Sequence, residues 1–452
     1  MKSNMARSAL RVGLATAVVI GAVALAARWD AGAQQVPPGW TAERMKPIGY
    51  SDLDGRGGAF KMAIKEVDGR WYLYMGHLWH RGWSIVDVTD PTAPKLVKFI
   101  PHFQANTWTI QMELHDNIMI TALQRAQTGW GGDPDKPFDE GVLIWDISDP
   151  VNPKKLSHWK TGANGTHRNW YAGGRYMHLA ANKPGYQGQI YVIVDIGDPK
   201  NPKEVGRWWM PGQHTAGGET SPYPISLHGP PYVVDDMVYL GYGSAVVILD
   251  ISDVSKPKLV GRLDFSPPFK PGGTAVHGVM PVPGKPLLIA NSEAGAEMCQ
   301  EQLNHTSIVD ISDPTKPRLL SLFPLPVPPK DAPFTDFCDK GGRFGPHNLN
   351  QEQHLPDVER QGDLVYVTYF NAGLRIYDIR NPRLPKEVAW FVPPTPPTRV
   401  GPIPTTKLVT QTEDVLVDRR GNIYITDKQW GLWVLQHTGP GATTTPTGRP
   451  GR

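Results

Sequence analysis

Cysteine is nearly absent from this chain of 452 residues, which contains only Cys299 and Cys338. Two cysteines allow one disulfide at most. The sequence also lacks a nucleotide-binding glycine loop, a G-x-S-x-G elbow and an H-E-x-x-H helix. No site of the kinds that these motifs form is therefore expected. No basic run is present and the formal net charge is only +3, so nucleic acid is not an expected partner.

Long apolar runs are missing as well, apart from one near the N-terminus. Residues 1–33 combine three early basic residues, the apolar run 12–27 and an Ala-Gly-Ala site at 31–33, which predicts a secretory signal peptide. The run is too short to span a membrane comfortably, and no cysteine follows it for lipid attachment. We therefore expect a periplasmic or secreted protein with no stable membrane span, and a disordered Thr/Pro/Gly-rich tail over 439–452.

The chain contains six copies of one short sequence repeat. Each copy is a β-rich apolar run, a tight turn with Asp and Pro, and a second β-rich run, which is typical of a hairpin. The copies cover residues 84–97, 143–156, 192–205, 247–260, 307–320 and 375–388. The turn aspartates, such as Asp149, Asp198 and Asp313, are expected to cap the turn through their own backbone and to carry no chemistry.

This period indicates a β-propeller with one four-stranded sheet per repeat. A seventh blade begins near residue 414 and ends with the strand 431–436, so it lacks its fourth strand. Segment 45–53 reads like an isolated fourth strand at the other end of the chain. The sequence therefore predicts an all-β, single seven-bladed propeller over 34–438, closed by the N-terminal strand in the last blade.

The repeat resembles the LVIVD repeat, named for the strand that reads IVDI or ILDI here, as in residues 307–311. The resemblance covers residue 45 to about residue 437 and implies a propeller of exported or surface proteins. It does not imply an activity.

Cys299 and Cys338 map to loops on one face of two neighbouring blades, five and six. In an exported protein this placement predicts a disulfide, with free thiols or a thiolate metal ligand as the alternatives.

Histidines occupy matching positions on successive inner strands when the blades are aligned on their second strands. His167, His228, His277 and His347 fall on blades three to six, and Glu413 takes the same position on blade seven. Radially converging imidazoles suit a transition metal, and we expect copper or iron more than zinc. Glu413 is the candidate catalytic carboxylate, as a ligand, a positioning group or a proton carrier. The alternative is a ring of polar residues lining a water-filled channel.

The loops on the same face predict a substrate pocket above this ring, with tryptophans such as Trp130 as a lining for an apolar or aromatic molecule. Its candidate residues are His77, His80, Asn182, Tyr242, Glu293, Asn371 and Lys428.

The histidine ring resembles, in architecture only, the metal sites of propeller oxidoreductases such as the carotenoid-cleaving oxygenases and nitrous oxide reductase. The hypothesis is therefore an exported, metal-dependent oxidoreductase acting on a small substrate. The alternative hypothesis is a non-catalytic interaction propeller that binds a protein or a glycan on one face.

Overall fold

A computed structural model describes residues 34–265, 274–302 and 304–441. The predicted signal peptide at 1–33 lies outside the described residues, as does most of the predicted tail at 439–452. Within the described part the fold is all-β, with seven blades in a ring. The predicted fold class is confirmed.

The N-terminal strands β1 and β2 and the first four blades follow in chain order. Their bounds are β1 (Thr41–Glu43), β2 (Met45–Ser51), β3 (Ala59–Val67), β4 (Arg70–His77), β5 (Gly82–Asp87), β6 (Lys95–Pro101), β7 (Thr107–Trp108), β8 (Met112–His115), β9 (Ile118–Arg125), β10 (Gly141–Asp146), β11 (Lys154–Trp159), β12 (Thr166–Trp170), β13 (Tyr176–Asn182), β14 (Gln189–Asp195), β15 (Lys203–Trp208), β16 (Tyr232–Val234), β17 (Met237–Tyr242), β18 (Ala245–Asp250) and β19 (Lys258–Asp264). Blade two has its inner strand broken into β7 and β8, which both pair with β9.

The last three blades contain ten further strands. Their bounds are β20 (Thr274–Pro281), β21 (Leu287–Glu293), β22 (Thr306–Asp310), β23 (Arg318–Leu322), β24 (Leu364–Thr368), β25 (Leu374–Asp378), β26 (Lys386–Val392), β27 (Thr412–Val417), β28 (Asn422–Asp427) and β29 (Gly431–His437). A short helix, α1 (Phe337–Lys340), and a 3-10 turn at Thr215–Gly217 complete the described elements. No helix among the described residues is long and apolar enough to cross a membrane.

The N-terminal strand closes the ring as predicted. β2 pairs antiparallel with β29, so blade seven has the order β27-β28-β29-β2. The preceding strand β1 pairs with β26 and forms the outer edge of blade six, which the sequence did not predict. The inner position of blade six is reduced to a single bridge between Leu349 and Val367. One N-terminal segment therefore ties the last two blades together and covers two sheet edges.

The repeated motif marks a β-bulge between the third and fourth strands of blades one to six. In blade one the register shifts between Ile85 and Val86, directly before the repeat aspartate Asp87. The same shift recurs at the equivalent residues of the next five blades. A bulge increases the local twist of a strand. The repeat therefore specifies how each outer strand turns away from its neighbour.

The turn after each bulge is capped as predicted, and the capped turn contacts the neighbouring blade. Asp149 and Asp313 each accept a hydrogen bond from the backbone N–H two residues ahead, at 3.1 and 3.0 Å. A Cβ added at Gly261 would lie 2.0 Å from the carbonyl oxygen of Pro314 in the next turn. A Cβ added at Gly49 in β2 would lie 2.2 Å from the Pro91 carbonyl oxygen. β2 therefore fills the fourth-strand position of an ordinary repeat.

The predicted disulfide between Cys299 and Cys338 is confirmed, with the two Cα atoms 5.4 Å apart. Cys299 lies in the loop between β21 and β22, and Cys338 lies in α1, in the loop that enters blade six. Asn371 fixes the same helix, because its side-chain amide donates to the carbonyls of Phe337 and Gly341, both at 2.7 Å. Blades five and six are thus linked covalently.

Removing the ring of Tyr50 should weaken the closure. Tyr50 is buried against Trp433 with 5.0 Å between the ring centroids, and its hydroxyl donates to the Trp430 carbonyl. Tyr50→Ala should lower the free energy of unfolding by about 3–5 kcal/mol, and Tyr50→Phe by about 1 kcal/mol. Lys46→Ala, on the exposed side of the same strand, should change it by less than about 0.5 kcal/mol. Equal urea midpoints for all three variants would contradict the closure.

Replacing both cysteines by serine should destabilise the fold, because the bridge closes a loop with a sequence separation of 39 residues. Loop-closure entropy places the loss at about 4 kcal/mol. Urea denaturation of C299S/C338S should therefore show a lower midpoint, which reducing agent lowers no further. Wild-type protein in reducing agent is the matched control and should approach the variant's midpoint.

Candidate metal centre on the propeller axis

The side chains that meet on the axis are aimed there by bulges in the inner strands. The register of β12 shifts between Thr166 and Arg168, so that His167 is the extra residue. His277 and Glu413 lie in equivalent irregularities of β20 and β27. His228 follows a single bridge at Leu227, ahead of the short inner strand β16, and His347 precedes the single bridge at Leu349 in blade six. Bulges redirect side chains and are frequent next to active sites.

The structure brings all four predicted histidines together. Ring centroids lie 4.4 Å apart for His167 and His228, 5.0 Å for His228 and His277, and 4.8 Å for His277 and His347. His277 and His347 are fully buried, whereas the His228 side chain is 24% exposed. His228 is therefore the most exposed of the four rings.

Glu293 lies among these imidazoles. Its carboxylate oxygens stand 3.7 Å from His228 Nε2 and 3.6 Å from the Nε2 atoms of both His277 and His347. These separations exceed hydrogen-bond length, which is 2.7–3.2 Å for nitrogen and oxygen. The ligand atoms of His228, His277 and Glu293 all lie within 4.8 Å of one another, so they could hold a metal ion.

Local hydrogen bonds and burial prepare the imidazoles as ligands. His347 Nδ1 is 2.7 Å from the Glu413 carbonyl oxygen, and His167 Nδ1 is 2.7 Å from Gln124 Oε1. Since both partners are acceptors, each Nδ1 carries the proton and each Nε2 presents a lone pair. Burial lowers the pKa of His228 to about 4 and the pKa of the other three histidines well below the usual range. All four rings are therefore neutral near pH 7.

Arg168 occupies the middle of the array. Its Nη2 donates to His277 Nε2 at 2.7 Å and lies 3.3 Å from His347 Nε2. Its Nε and Nη1 have no hydrogen-bond partner in the described structure, although the residue is 1% exposed. A guanidinium has five donors and no acceptor. Arg168 therefore competes with any metal ion for His277, and it has donors left for an anionic group.

Glu413 lies behind His347, away from the Nε2 atoms. Its Oε2 is 3.4 Å from His347 Nδ1, and its Oε1 pairs with Lys428 and with Arg343 Nη2. Burial, followed by the charge of Arg343, lowers the pKa of Lys428 well below its usual range. Arg343 also binds Glu293 Oε1 at 3.0 Å. Glu413 and Lys428 therefore form a buried acid–base pair in contact with a ring histidine.

Aromatic rings surround these cations. The guanidinium of Arg343 lies 3.7 Å from the centroid of the Phe370 ring and 4.8 Å from that of Trp130. Phe60 stands edge-on to His347 at 5.5 Å and lies under Lys428 at 5.3 Å. Of the predicted aromatic lining, Trp130 is thus beside the site.

The remaining predicted pocket residues serve the loops around the axis. His77 is buried, with Nε2 2.8 Å from Ser84 Oγ, and Tyr242 binds Gln213 through its hydroxyl. Asn182 donates to the Gly188 carbonyl, and the exposed His80 is 3.2 Å from the Gly57 carbonyl through Nδ1. Asn371 holds α1 as described above. None of these five residues makes a hydrogen bond or ion pair to the four histidines among the contacts that the described residues make.

Sequence reasoning missed Arg168, Arg343, Phe60 and Phe370. A signal for Arg168 was present, because His167 fits the blade alignment only with a slip of one residue, and that slip is the bulge. Arg343 and Phe370 come from loops, whose direction no repeat alignment predicts.

Comparison with known proteins supports the repeat and the fold. The LVIVD repeat model matches residues 71–100, 185–209, 232–264, 302–323 and 356–391, which lie in blades one, three, four, five and six. No curated protein matches the chain. Similar solved structures include the periplasmic gluconolactonase PpgL of Pseudomonas aeruginosa, at 11% identity and a TM-score of 0.51, over 82% of this chain and 97% of that one. At this identity the likeness shows the propeller fold alone.

Acid should destabilise the protein partly through His77. Burial lowers the pKa of His77 to about 3, whereas an unfolded histidine titrates near 6.5. Between these values the unfolded chain binds one more proton, so the free energy of unfolding falls as the pH decreases from about 6.5 to about 3. His77→Phe should reduce that slope by about 1.4 kcal/mol per pH unit. Urea denaturation from pH 4 to pH 7 measures this slope. Parallel plots of the free energy of unfolding against pH for wild type and variant would contradict a neutral, buried His77.

Proposed function

Because this chain is a seven-bladed propeller carrying LVIVD repeats, its chemistry is sought where the blades meet, and we propose that it is an exported, metal-dependent oxidoreductase. Its metal would lie on the axis, held by His228, His277 and Glu293, with His347 as a further donor. The observation that carries the proposal is the position of the Glu293 carboxylate, 3.6–3.7 Å from three imidazole nitrogens with no hydrogen bond to any of them.

These separations fit a shared ion. Ligands bonded at about 2.0–2.2 Å to a tetrahedral ion stand roughly 3.4 Å from one another. Burial alone would raise the pKa of Glu293, but the charges of His347, His228 and Arg343 outweigh it and hold this pKa below its usual range. Near pH 7, where the imidazoles are neutral, Arg343 is the cation in direct contact with this carboxylate. The carboxylate is therefore charged and the imidazoles are neutral, which is the protonation state that metal binding requires.

The donor set favours iron over copper. Two imidazoles and one carboxylate with open positions are the ligand set of non-haem Fe(II) oxygenases. Bound iron would supply one-electron and oxygen chemistry. Around it, Arg343 orients Glu293, the Glu413 carbonyl orients His347, and burial excludes water from His277 and His347. The Glu413–Lys428 pair could hold or move a proton at Lys428 Nζ.

The buried cations favour an anionic substrate. Arg168 and Arg343 are both buried, the charge of Glu293 acts on both, and Arg168 keeps two nitrogens without a partner in the described structure. A metal ion would add further positive charge. In a buried site, the attraction between these charges and an anion is stronger than in water. A small molecule with a carboxylate or another oxyanion could take the free donors of Arg168 while an apolar part rests on the aromatic rings.

Export is supported by two independent observations. The bridge between Cys299 and Cys338 suits an oxidising compartment. The similar gluconolactonase structure is described as periplasmic. The predicted leader at 1–33 is consistent with both.

Metal binding by the purified protein tests the proposal. Metal-stripped protein titrated anaerobically with Fe(II) should bind an equivalent whose affinity falls by more than about 100-fold in His277→Ala and in Glu293→Gln, since second-shell changes alone cost 10–100-fold. His158→Ala, on the outer strand β11, is the matched control and should keep the wild-type Fe(II) affinity. Equal Fe(II) binding by all four proteins would contradict the metal site and leave the non-catalytic interaction propeller as the better hypothesis.

Arg168→Met offers a second, opposite test. Removing the guanidinium frees His277 Nε2 and one positive charge, so the variant should bind Fe(II) more tightly than the wild type. An anionic inhibitor such as benzoate should bind the same variant more weakly. A lower Fe(II) affinity in Arg168→Met would show that Arg168 does not compete with the metal.

A further inference from the structure

A second polar cluster lies on the inner strands, separate from the histidine ring. Glu113 lies on β8, and Glu352 and His354 follow the inner bridge of blade six. The ligand atoms of these three residues all lie within 4.8 Å of one another. Lys61 on β3 and Asp414 on β27 adjoin them. Four blades therefore contribute to one cluster, and two of its carboxylates, Glu113 and Glu352, are each 1% exposed.

The hydrogen-bond donors in this cluster are too few for its acceptors. Lys61 Nζ binds Glu352 Oε1, and the Met62 backbone N–H donates to Asp414 Oδ2 at 2.8 Å. Both oxygens of Glu113, Oε2 of Glu352 and Oδ1 of Asp414 have no donor among the described residues. Buried carboxylate oxygens without a partner are costly, and four of them in one place require an explanation.

Tyr232 gives an independent indication. Its hydroxyl, on β16 of blade four, is buried at 2% exposure and has no hydrogen-bond partner in the described structure. Burial raises the pKa of this hydroxyl well above its usual range, and the charges of Glu352 and Glu113 raise it further. A polar group without a partner therefore faces the same small region from another blade.

A single proton does not satisfy this region. A proton shared between Glu113 and Glu352 would form a hydrogen bond with one oxygen of each residue. The second Glu113 oxygen and Asp414 Oδ1 would still have no hydrogen-bond donor. Few cations act on these three carboxyl groups: Lys61 acts on all of them, and Arg168 acts on Asp414 and Glu113. A divalent cation would supply two positive charges and contact several oxygens at once.

We propose that Glu113, Glu352 and His354 form a second, buried metal site for a divalent transition metal. Two carboxylates and one imidazole suit ions from Mn(II) to Zn(II), and the imidazole disfavours Ca(II) and Mg(II). The His354 ring is oriented by Trp170, whose ring centroid is 4.5 Å away. The Tyr232 ring packs on the same Trp170, with 4.7 Å between the ring centroids. This site does not rest on the proposed function, since none of its three ligands makes a hydrogen bond or ion pair to Glu293 among the contacts described.

Counting Mn(II) equivalents tests the two sites separately. Metal-stripped full-length protein titrated with Mn(II), with free Mn(II) followed by electron paramagnetic resonance, should bind two equivalents. The double variant H277A/E293Q should bind one equivalent of Mn(II), at the second site. Glu113→Gln should also bind one equivalent, at the histidine site. The triple variant E113Q/H277A/E293Q should bind no Mn(II).

Glu113→Gln is chosen because it preserves the fold. Glutamine has the shape of protonated glutamate and can donate to Glu352, and the Lys61–Glu352 pair stays intact. The metal-free variant should therefore melt at or above the wild-type temperature, and Mn(II) should raise its melting temperature less than it raises that of the wild type. His354→Gln is a second variant with the same expected loss.

Two results would overturn the second site. One is that H277A/E293Q, folded by circular dichroism, binds no Mn(II), in which case a shared proton is all that Glu113 and Glu352 hold. The other is that Glu113→Gln and His354→Gln bind as much Mn(II) as the wild type. Loss of binding only in H277A/E293Q would leave the proposed function intact while rejecting this site.

Discussion

The antiparallel pairing of Met45–Ser51 with Gly431–His437 is the contact on which the axis depends. A propeller blade buries its faces only against its two neighbours, so an open ring would expose a face at each end. Closure brings blade seven beside blade one, and the close approach of Gly49 to the Pro91 carbonyl shows how little space this join leaves. Glu413 on blade seven and Phe60 on blade one reach the same histidine, His347, only because the ring is closed.

The structure contains two sets of β-bulges with different roles. Those between the third and fourth strands repeat in six blades and follow the sequence motif, so they belong to the architecture. Those of the inner strands differ from blade to blade and carry His167, His277 and Glu413. A regular inner strand would alternate its side chains between the two faces of the blade. The irregular ones turn side chains toward the axis, where regular pairing would have buried them between blades.

Charge balance is the second constraint on the axis. Arg168 donates to two ring histidines, and the charges of Glu293, Asp414 and Glu113 all act on it. Burial lowers its pKa, but a guanidinium remains charged in proteins, so its position has to be supported by carboxylates. A positive ion at either proposed metal site would therefore compete with the guanidinium for a carboxylate that supports it.

The repeat alone was sufficient to predict the seven blades, the closing strand, the capped turns and the convergence of four histidines. Each of these follows from a short-range pattern repeated along the chain, and a repeat carries a matching position from one blade to the next. Three features became clear only in the folded ring: Glu293 stands among the histidines, Glu413 lies behind His347, and Arg168 donates to two of the imidazoles. Aligning the repeats predicts the position of a residue along its strand. It does not predict the direction of the side chain where a bulge or a loop interrupts the strand. Convergence was therefore predictable from the repeat, and the contacts at the axis were decided by the packing of side chains from different blades.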